Sequence, residues 1–196
     1  MRILYAASEA NPFAKSGGLA DVAGALPKAL VKDGVDARVI MPLYGDLKHR
    51  EMLEYVTNYS VPVGWRSQYC GLFKAEVDGV TYYFLDNEYY FKRRGLYGFY
   101  DDGERFAFFS RAVLETLFYI DFTPDIINCN DWQTALVPVY LTCTTAIWIS
   151  STASRRCSPS TTLPTRASTA PTFWKIPAAS AAVTSTSWST MAAPTS

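Results

Sequence analysis

The acidic residues of this chain stop about two thirds of the way along it, and that break limits what the chain can fold into. All 18 aspartates and glutamates lie between Glu9 and Asp131, and none follows. Residues 142–196 also lack glycine, asparagine, glutamine, tyrosine and histidine, and 24 of these 55 residues are serine or threonine. An ordinary soluble domain is therefore expected only over residues 1–141.

The tail, residues 142–196, resembles the translation of a coding sequence in the wrong reading frame. Codons permitted for Thr142 to Ser151, read from one nucleotide upstream, translate as NLYYRHLDKF, a charged amphipathic helix, and later codons as VFTIHNIAYQG. We expect the native frame to be lost near Leu141, with residues 1–141 a partial domain and residues 142–196 a non-native, disordered tail. The other interpretation is a low-complexity tail, although tryptophans such as Trp148 are unusual in one.

Composition argues against several classes of protein. The formal net charge of zero does not favour a nucleic-acid-binding surface. No apolar run approaches the roughly 18 residues of a membrane span, and no secretory leader precedes the first strand. The four cysteines form no CxxC pair. We expect a cytoplasmic protein with reduced thiols, no cofactor or metal, and neither membrane nor nucleic-acid partners.

The opening predicts a β-α-β unit. Arg2 to Ser8 is a short apolar run typical of a buried parallel strand, and Asp36 to Met41 is a second. Between them a helix is expected from Leu19, kinked or restarted at Pro27 and ended by Gly34. Its apolar residues recur at helical spacing, namely Leu19, Val22, Ala23, Leu26, Leu30 and Val31.

The middle of the chain is rich in β-forming residues. Strands are predicted over 55–63, 69–77 and 80–86, the last two joined by a hairpin turn at Asp78-Gly79. We expect the remainder to form a loop over 88–100, a helix over 102–120, a strand over 125–130 and a helix beginning at Trp132. Strands alternating with helices indicate a Rossmann-like, open parallel α/β sheet.

Residues able to bind a ligand follow the predicted strands, at the sheet edge where ligands bind in open α/β folds. Lys15, Gly17 and Gly18 precede the first helix, where exposed N–H groups attract phosphate, and Asp21 lies in that helix's first turn. Glu9 follows strand one. Further candidates are Asp131 with Trp132 after a later strand, and Tyr97 in a basic loop.

Each candidate has a simpler structural interpretation. The Gly17-Gly18 pair suits a plain turn, and Asp131 suits a helix N-cap. The loop around Tyr97 suits a solvated basic turn, and His49 suits an exposed loop side chain. The sequence pattern alone leaves these alternatives open.

Taken together, these residues resemble the bacterial glycogen synthase and plant starch synthase family of GT-B glycosyltransferases. The matching stretches are ILYAASE, KSGGLADVAGALPKAL, GVDARVIMP and PDIINCNDWQTALVPVYL. Ser16 stands where the family's motif has threonine. The resemblance covers residues 1–141 and implies the N-terminal half of a GT-B fold.

The resemblance implies transfer of glucose from ADP-glucose to the non-reducing end of an α-1,4-glucan, with retention. Carried over by position, Lys15, Gly17 and Gly18 would contact the donor, and Tyr97 would lie near it. Glu9 and the catalytic Asp131 would lie on the acceptor and glucosyl side.

The family's C-terminal domain has no counterpart here, so we expect this polypeptide to be inactive. It should also fold poorly, with an exposed sheet edge. The alternatives are a non-catalytic half-domain that binds glucan or nucleotide sugar, and a sucrose synthase-like enzyme. An NAD-dependent Rossmann enzyme is a remote third, for lack of the GxGxxG fingerprint.

Overall fold

The chain forms one twisted sheet flanked by helices. The computed structural model describes residues 1–143 and the backbone of residues 184–186. The strands are β1 (Arg2–Ala6), β2 (Asp36–Pro42), β3 (Glu54–Val63), β4 (Arg66–Val77), β5 (Val80–Asp86), β6 (Ile126–Asn130) and β7 (Thr184–Thr186). The helices are α1 (Gly18–Lys32), α2 (Glu88–Phe91), α3 (Asp102–Thr116) and α4, described over 136–143. Two 3-10 turns, Arg50–Met52 and Trp132–Thr134, complete the described elements.

The strand order is β3-β4-β5-β2-β1-β6-β7. Neighbours from β5 to β7 pair in parallel, as predicted, whereas β3 and β4 are antiparallel to their neighbours. The connections explain the difference, because β3–β4 and β4–β5 are joined by short turns that cannot carry a parallel crossover. Asp78 and Gly79 both have positive φ, 53° and 78°, so the predicted hairpin turn is confirmed. The α/β class is therefore confirmed with a mixed rather than wholly parallel sheet.

A short strand from the predicted tail, β7, lies beside β6 and ends the sheet on that side. β7 pairs with β6 in parallel at Asn128–Asn130. The remaining residues of the predicted tail, 144–183 and 187–196, lie outside the described residues.

The helix α1 buries only part of the predicted apolar face, in which Ala23 is buried and Val31 packs partly buried against the core. Its buried residues are small or compact: Ala20, Ala23, Gly24 and Pro27. Val22 and Leu26, which the apolar pattern assigned to the core, are 48 % and 41 % exposed. The helix continues through Pro27 without restarting, and it ends before Gly34, as predicted. Small residues allow α1 to pack closely on the segment after β1, and this close packing overrides the hydrophobic pattern.

The helix α3 follows the prediction more closely, although it ends at Thr116 rather than at residue 120. Phe106, Phe109 and Val113 from the predicted apolar face are buried. Residues 88–100 are not wholly a loop, because α2 forms at their start, capped by the side chain of Asn87. The predicted helix at Trp132 begins as a 3-10 turn and continues as α4.

Candidate functional site

The carboxyl ends of β1 and β6 bring two of the predicted acidic residues to one edge of the sheet. The strands pair in parallel with Ala6 opposite Cys129. The side-chain amide of Asn130 donates to the Ala6 carbonyl at 3.0 Å and ties the two strand ends together. Because parallel neighbours end at the same edge, Glu9 and Asp131 follow their strands on the same side of the sheet, as predicted.

The buried carboxylate of Glu9 organises the glycine-containing loop. Its Oε2 accepts from the backbone N–H of Ser16 and, at 2.7 Å, from the Ser16 hydroxyl. Its Oε1 accepts from the Gly17 N–H at 3.2 Å. The sequence predicted that N–H groups of this loop bind phosphate. In this structure the N–H groups of Ser16 and Gly17 donate to the carboxylate of Glu9 instead.

Lys15 is paired with Asp21 across the start of α1. The Lys15 ammonium lies 2.7 Å from both carboxylate oxygens of Asp21. Asn11 also donates to Asp21, at 2.6 Å. Both partners of the ion pair are about half exposed, so the pair contributes little stability. The Lys15 charge is thus held beside the loop by a weak, replaceable partner.

Gly17 and Gly18 leave open space at the start of α1. A Cβ at Gly17 would lie 3.7 Å from Glu9 Oε1, and a Cβ at Gly18 would meet no atom within 4 Å. The fold itself therefore requires neither glycine for packing. Gly24 differs, because its Cβ would lie 2.9 Å from both the Cβ and the carbonyl oxygen of Asn11. Gly24 was not among the residues singled out from the sequence, although a glycine inside a helical pattern is a recognised sign of close packing.

Tyr97 lies against the end of β1. Its hydroxyl is 2.8 Å from the Ser8 Oγ. Burial raises the pKa of Tyr97 to about 12, and the nearby charges of Glu9 and Asp131 act in the same direction. The hydroxyl is therefore a neutral hydrogen-bonding group near neutral pH. The structure thus brings Tyr97, predicted from a loop far along the chain, to Glu9 and Asp131.

Asp131 has a backbone conformation that is rare for any residue except glycine. Its φ is 63° and its ψ is 179°. Its Oδ1 accepts from the Trp132 N–H at 2.7 Å, so the simple capping role is present as well. The side chain is exposed, and the ring of Trp132 beside it is half exposed. Strain at an exposed carboxylate is typical of functional positions.

An aromatic cluster lies behind Asp131. The Trp132 ring centre is 5.0 Å from that of Phe106 and 6.5 Å from that of Tyr97. These contacts connect the residue after β6 to the loop that carries Tyr97. Tyr97 and Trp132, which are distant in the sequence, therefore belong to one cluster of aromatic rings.

Tyr44, which follows β2 at the same sheet edge, was missed by the sequence analysis. It is fully buried, and its hydroxyl has no hydrogen-bond partner among the described residues. Burial raises its pKa well above the ordinary value, and the charges of Tyr97 and Glu9 raise it further, whereas that of Arg105 lowers it. The sequence feature that could have identified Tyr44 is its position directly after a predicted parallel strand.

One of the two arginines of the basic loop that carries Tyr97 binds a carboxylate within the loop. Arg93 donates to both oxygens of Asp101 at 2.6 and 2.7 Å, and its guanidinium lies 5.1 Å from the Phe99 ring centre. It therefore stabilises the loop, whereas Arg94 is exposed. His49 is half exposed and lies 3.4 Å from Glu51, as expected for a surface side chain.

Metal clusters and membrane-spanning helices are both absent from the part of the chain that the structure describes. No group of three or more histidine, cysteine, aspartate or glutamate side chains there is arranged to hold a metal ion. Within the same residues, no helix is long and apolar enough to cross a bilayer.

Comparison with known proteins agrees with this geometry. The family model described as the starch synthase catalytic domain matches residues 2–157. The glycogen synthase of Clostridium acetobutylicum is 62% identical over 144 residues, which cover 72% of this chain and 30% of that protein. The glycogen synthase of Caldicellulosiruptor bescii is 60% identical over the same length, with the same coverage. The chain thus spans about 30% of the length of these curated relatives.

A solved structure is also similar. The catalytic domain of Starch Synthase IV from Arabidopsis thaliana, bound to ADP and acarbose, superposes with a TM-score of 0.65 at 35% identity. The match covers 69% of this chain and 29% of that one. The family match, the relatives and the shared fold agree, and this chain belongs to the starch synthase catalytic domain family of glycosyltransferases.

Proposed function

We propose that this chain forms part of the substrate-binding face of an ADP-glucose-dependent glycogen or starch synthase. The reaction transfers glucose to the non-reducing end of an α-1,4-glucan with retention. The bond between the anomeric carbon and the phosphate oxygen breaks, and ADP leaves with the electron pair. The acceptor hydroxyl forms the new glycosidic bond and loses its proton.

One observation carries this proposal. The predicted donor loop, Glu9, Tyr97 and Asp131 converge at one edge of the sheet in a chain of this family. A second observation supports it, because the related starch synthase catalytic domain is bound to ADP and acarbose.

On the donor side, we assign Lys15, Gly17 and Gly18 to the diphosphate and the adjoining sugar. The N–H of Gly17 already binds a carboxylate oxygen of Glu9, and the space above Gly18 is open. Lys15 can exchange the half-exposed carboxylate of Asp21 for a phosphate, since both offer oxygen acceptors. Asp21 is then the group that holds Lys15 when no donor is bound.

On the acceptor and glucosyl side, we assign Glu9 and Asp131, with Asp131 in the catalytic role. Both are carboxylates at the same edge, and such groups accept hydrogen bonds from sugar hydroxyls. We assign Tyr97 to the donor side, where its neutral hydroxyl can hydrogen-bond to the nucleotide sugar. Trp132 offers a half-exposed ring to the apolar face of a sugar.

We further propose that the 196-residue chain is inactive, cytoplasmic and altered in frame after Leu141. The change of composition after Leu141 supports the loss of frame, and a chain out of frame there would not encode the C-terminal domain that supplies most nucleotide contacts in the proposed enzyme. Sequencing the coding DNA on both sides of Leu141 tests the frame. A missing or extra base supports the proposal, and an unchanged sequence overturns it.

The functional test uses the purified chain with labelled ADP-glucose and glycogen. We expect no transfer, but binding of ADP that Lys15→Ala weakens and Lys32→Ala, at the other end of α1, does not. Transfer by this chain would overturn the predicted inactivity. Equal ADP binding by Lys15→Ala and the unaltered chain would overturn the assignment of Lys15. In a full-length relative, alanine at the matching lysine should likewise weaken donor binding.

The second candidate is a half-domain that holds glucan or nucleotide sugar without transferring glucose. The half-exposed Trp132 ring beside the exposed Asp131 favours it as a sugar-binding surface. Glucan binding by the chain together with an unaltered reading frame that ends at Ser196 would favour this function over the enzyme.

A further inference from the structure

The loop that carries Tyr97 has little regular structure of its own. It lies between α2 and α3, and Gly95 and Gly98 on either side of Tyr97 have left-handed φ values of 84° and 93°. The Tyr97 hydroxyl nevertheless lies at hydrogen-bond distance, 2.8 Å, from Ser8 after β1. Something outside the loop must fix its backbone for this contact to persist.

Arg105 holds the segment before Tyr97. Its side chain is completely buried in α3. Its Nε donates to the Tyr90 carbonyl at 2.7 Å, and both terminal nitrogens donate to the Leu96 carbonyl at 3.3 Å. The planar guanidinium thus joins the end of α2 to the residue directly before Tyr97.

Asp102 holds the segment after Tyr97. Its Oδ2 accepts from the Gly98 N–H at 2.8 Å and from the Phe99 N–H at 3.2 Å. Its Oδ1 accepts from Arg105, one helical turn further along α3. The ion pair of the fully buried Arg105 and the largely buried Asp102 therefore holds the backbone on both sides of Tyr97 through one connected network.

Aromatic rings enclose the cation. The guanidinium carbon lies 4.6, 5.3 and 5.5 Å from the ring centres of Phe99, Phe106 and Phe91. Phe106 also contacts the rings of Tyr97 and Trp132. An ion pair with a buried arginine is weak evidence for added stability, and its hydrogen bonds to the loop backbone are the effect that the geometry shows.

We propose that Arg105, acting with Asp102, is a positioning residue that fixes Tyr97 against Ser8 in the ligand site. The inference rests on the proposed function only in one respect, namely that the position of Tyr97 matters for ligand binding. The placement itself is independent of any ligand. Loss of the guanidinium fork is expected to free residues 96–99 while the sheet stays intact.

The test compares Arg105→Lys with Arg111→Lys in the 196-residue chain. Lysine keeps the charge but cannot reach two carbonyls with a planar fork. Arg111 is a matched control, because it lies on the same helix and pairs with Glu115 at 2.6 Å. We expect the Gly98 and Phe99 amides of Arg105→Lys to exchange hydrogen about tenfold faster, with β1 and β2 unchanged.

A second readout follows the tyrosine itself. In chain labelled with tyrosine ¹³Cζ, the Tyr97 signal, assigned with Tyr97→Phe, should move in Arg105→Lys and stay in Arg111→Lys. Unchanged exchange at Gly98 would overturn the proposal. So would faster exchange spread evenly over the sheet, since that is the result of a purely structural role.

Asp102→Asn keeps the experiment decisive if Arg105→Lys does not fold. The amide side chain of this variant offers one acceptor oxygen fewer to Arg105 and the Gly98 and Phe99 amides, so the same local loosening is expected.

Binding of ADP and acarbose separates the two proposals. If alanine at the lysine that matches Lys15 leaves ADP binding by a full-length relative unchanged, the proposed function fails, whereas the exchange data still decide whether Arg105 positions Tyr97. Where the unaltered chain binds a probe, a double-mutant cycle tests the link between Tyr97 and Arg105. Tyr97→Phe should weaken binding of the probe when Arg105 is present. It should have no further effect when Arg105 is already replaced by lysine.

Discussion

Glu9 and Ser16, seven residues apart, are joined twice, because both the backbone N–H and the hydroxyl of Ser16 donate to the same carboxylate oxygen. The other oxygen accepts from Gly17. A buried carboxylate thus occupies the amides that an anionic ligand would use. An incoming diphosphate must compete with Glu9 for these donors.

Replacing Glu9 with glutamine should therefore strengthen binding of ADP. Glutamine keeps the shape but removes the negative charge, so the loop amides are more readily given up to phosphate. We expect an affinity several-fold higher, because a charge-assisted hydrogen bond exceeds a neutral one by about 1 kcal/mol. Calorimetric titration with ADP measures it, and Glu88→Gln on α2 is the control. Unchanged or weaker ADP binding would contradict competition by Glu9.

Replacing Gly24 with alanine should destabilise the fold. Alanine inside a helix ordinarily stabilises by about 0.5–1 kcal/mol relative to glycine. Here its Cβ would lie 2.9 Å from the backbone carbonyl oxygen of Asn11, and overpacking of this kind costs about 1–3 kcal/mol. Urea unfolding should show a net loss for Gly24→Ala. Gly103→Ala, whose Cβ would meet no atom within 4 Å, should gain or stay equal. A stabilised Gly24→Ala would show that α1 can move away from Asn11.

Asp131 should tolerate glycine better than alanine. Its φ of 63° and ψ of 179° lie in a region that only glycine adopts freely, and the strain is about 1–3 kcal/mol. Both substitutions remove the hydrogen bond from the Trp132 N–H to the Asp131 carboxylate. The loss of that bond therefore cancels when the stabilities of the two variants are compared. Asp131→Gly should therefore be the more stable variant by about 0.5–2 kcal/mol in urea unfolding, because the larger entropy of unfolded glycine offsets part of the relieved strain. Equal stabilities would mean that the backbone relaxes once the carboxylate is removed.

Alkaline pH should weaken the fold through two buried thiols. Burial raises the pKa of Cys70 and that of Cys129 from 9.0 to about 12. The unfolded thiols ionise first, so the stability contributed by burying them is complete below about pH 9 and is lost as pH rises toward 12. The expected slope is about 1.4 kcal/mol per pH unit for each thiol.

The measurement is the free energy of unfolding between pH 9 and 10 under reducing conditions, below the range in which unfolded tyrosines ionise and buried tyrosines such as Tyr44 and Tyr97 add to the alkaline loss. Cys70→Ala should flatten the dependence on pH, whatever it does to the stability at pH 7. Cys143→Ala, at an exposed position, should leave the slope unchanged. A slope equal in all three chains would mean that the two buried thiols do not determine the alkaline loss.

Much of the site could be predicted because it depends on local chemistry and on one topological rule. The turn at Asp78-Gly79 is fixed by two residues that tolerate positive φ. Glu9 and Asp131 each follow an apolar strand, and parallel strands place their ends together. Neither prediction required knowledge of side-chain packing.

What could not be predicted depends on distances between distant segments. Val22 and Leu26 look like core residues by hydrophobicity, but the close approach of α1 to Asn11 selects small residues instead. Asp102 and Arg105 look like an ordinary surface pair on a helix. Only the fold of the preceding loop over them buries the arginine.

The pairing of β1 with β6 has a consequence for synthesis of the chain. Arg2, at the start of β1, donates to Asp125, which is 123 residues further along. β1 lies in the middle of the sheet, so the nascent chain carries an unsatisfied central strand until β6 leaves the ribosome. The β3–β4–β5 meander, built from near neighbours in sequence, can form earlier. Any polypeptide released before Asn130 would expose one side of β1 to the β1 strands of other copies.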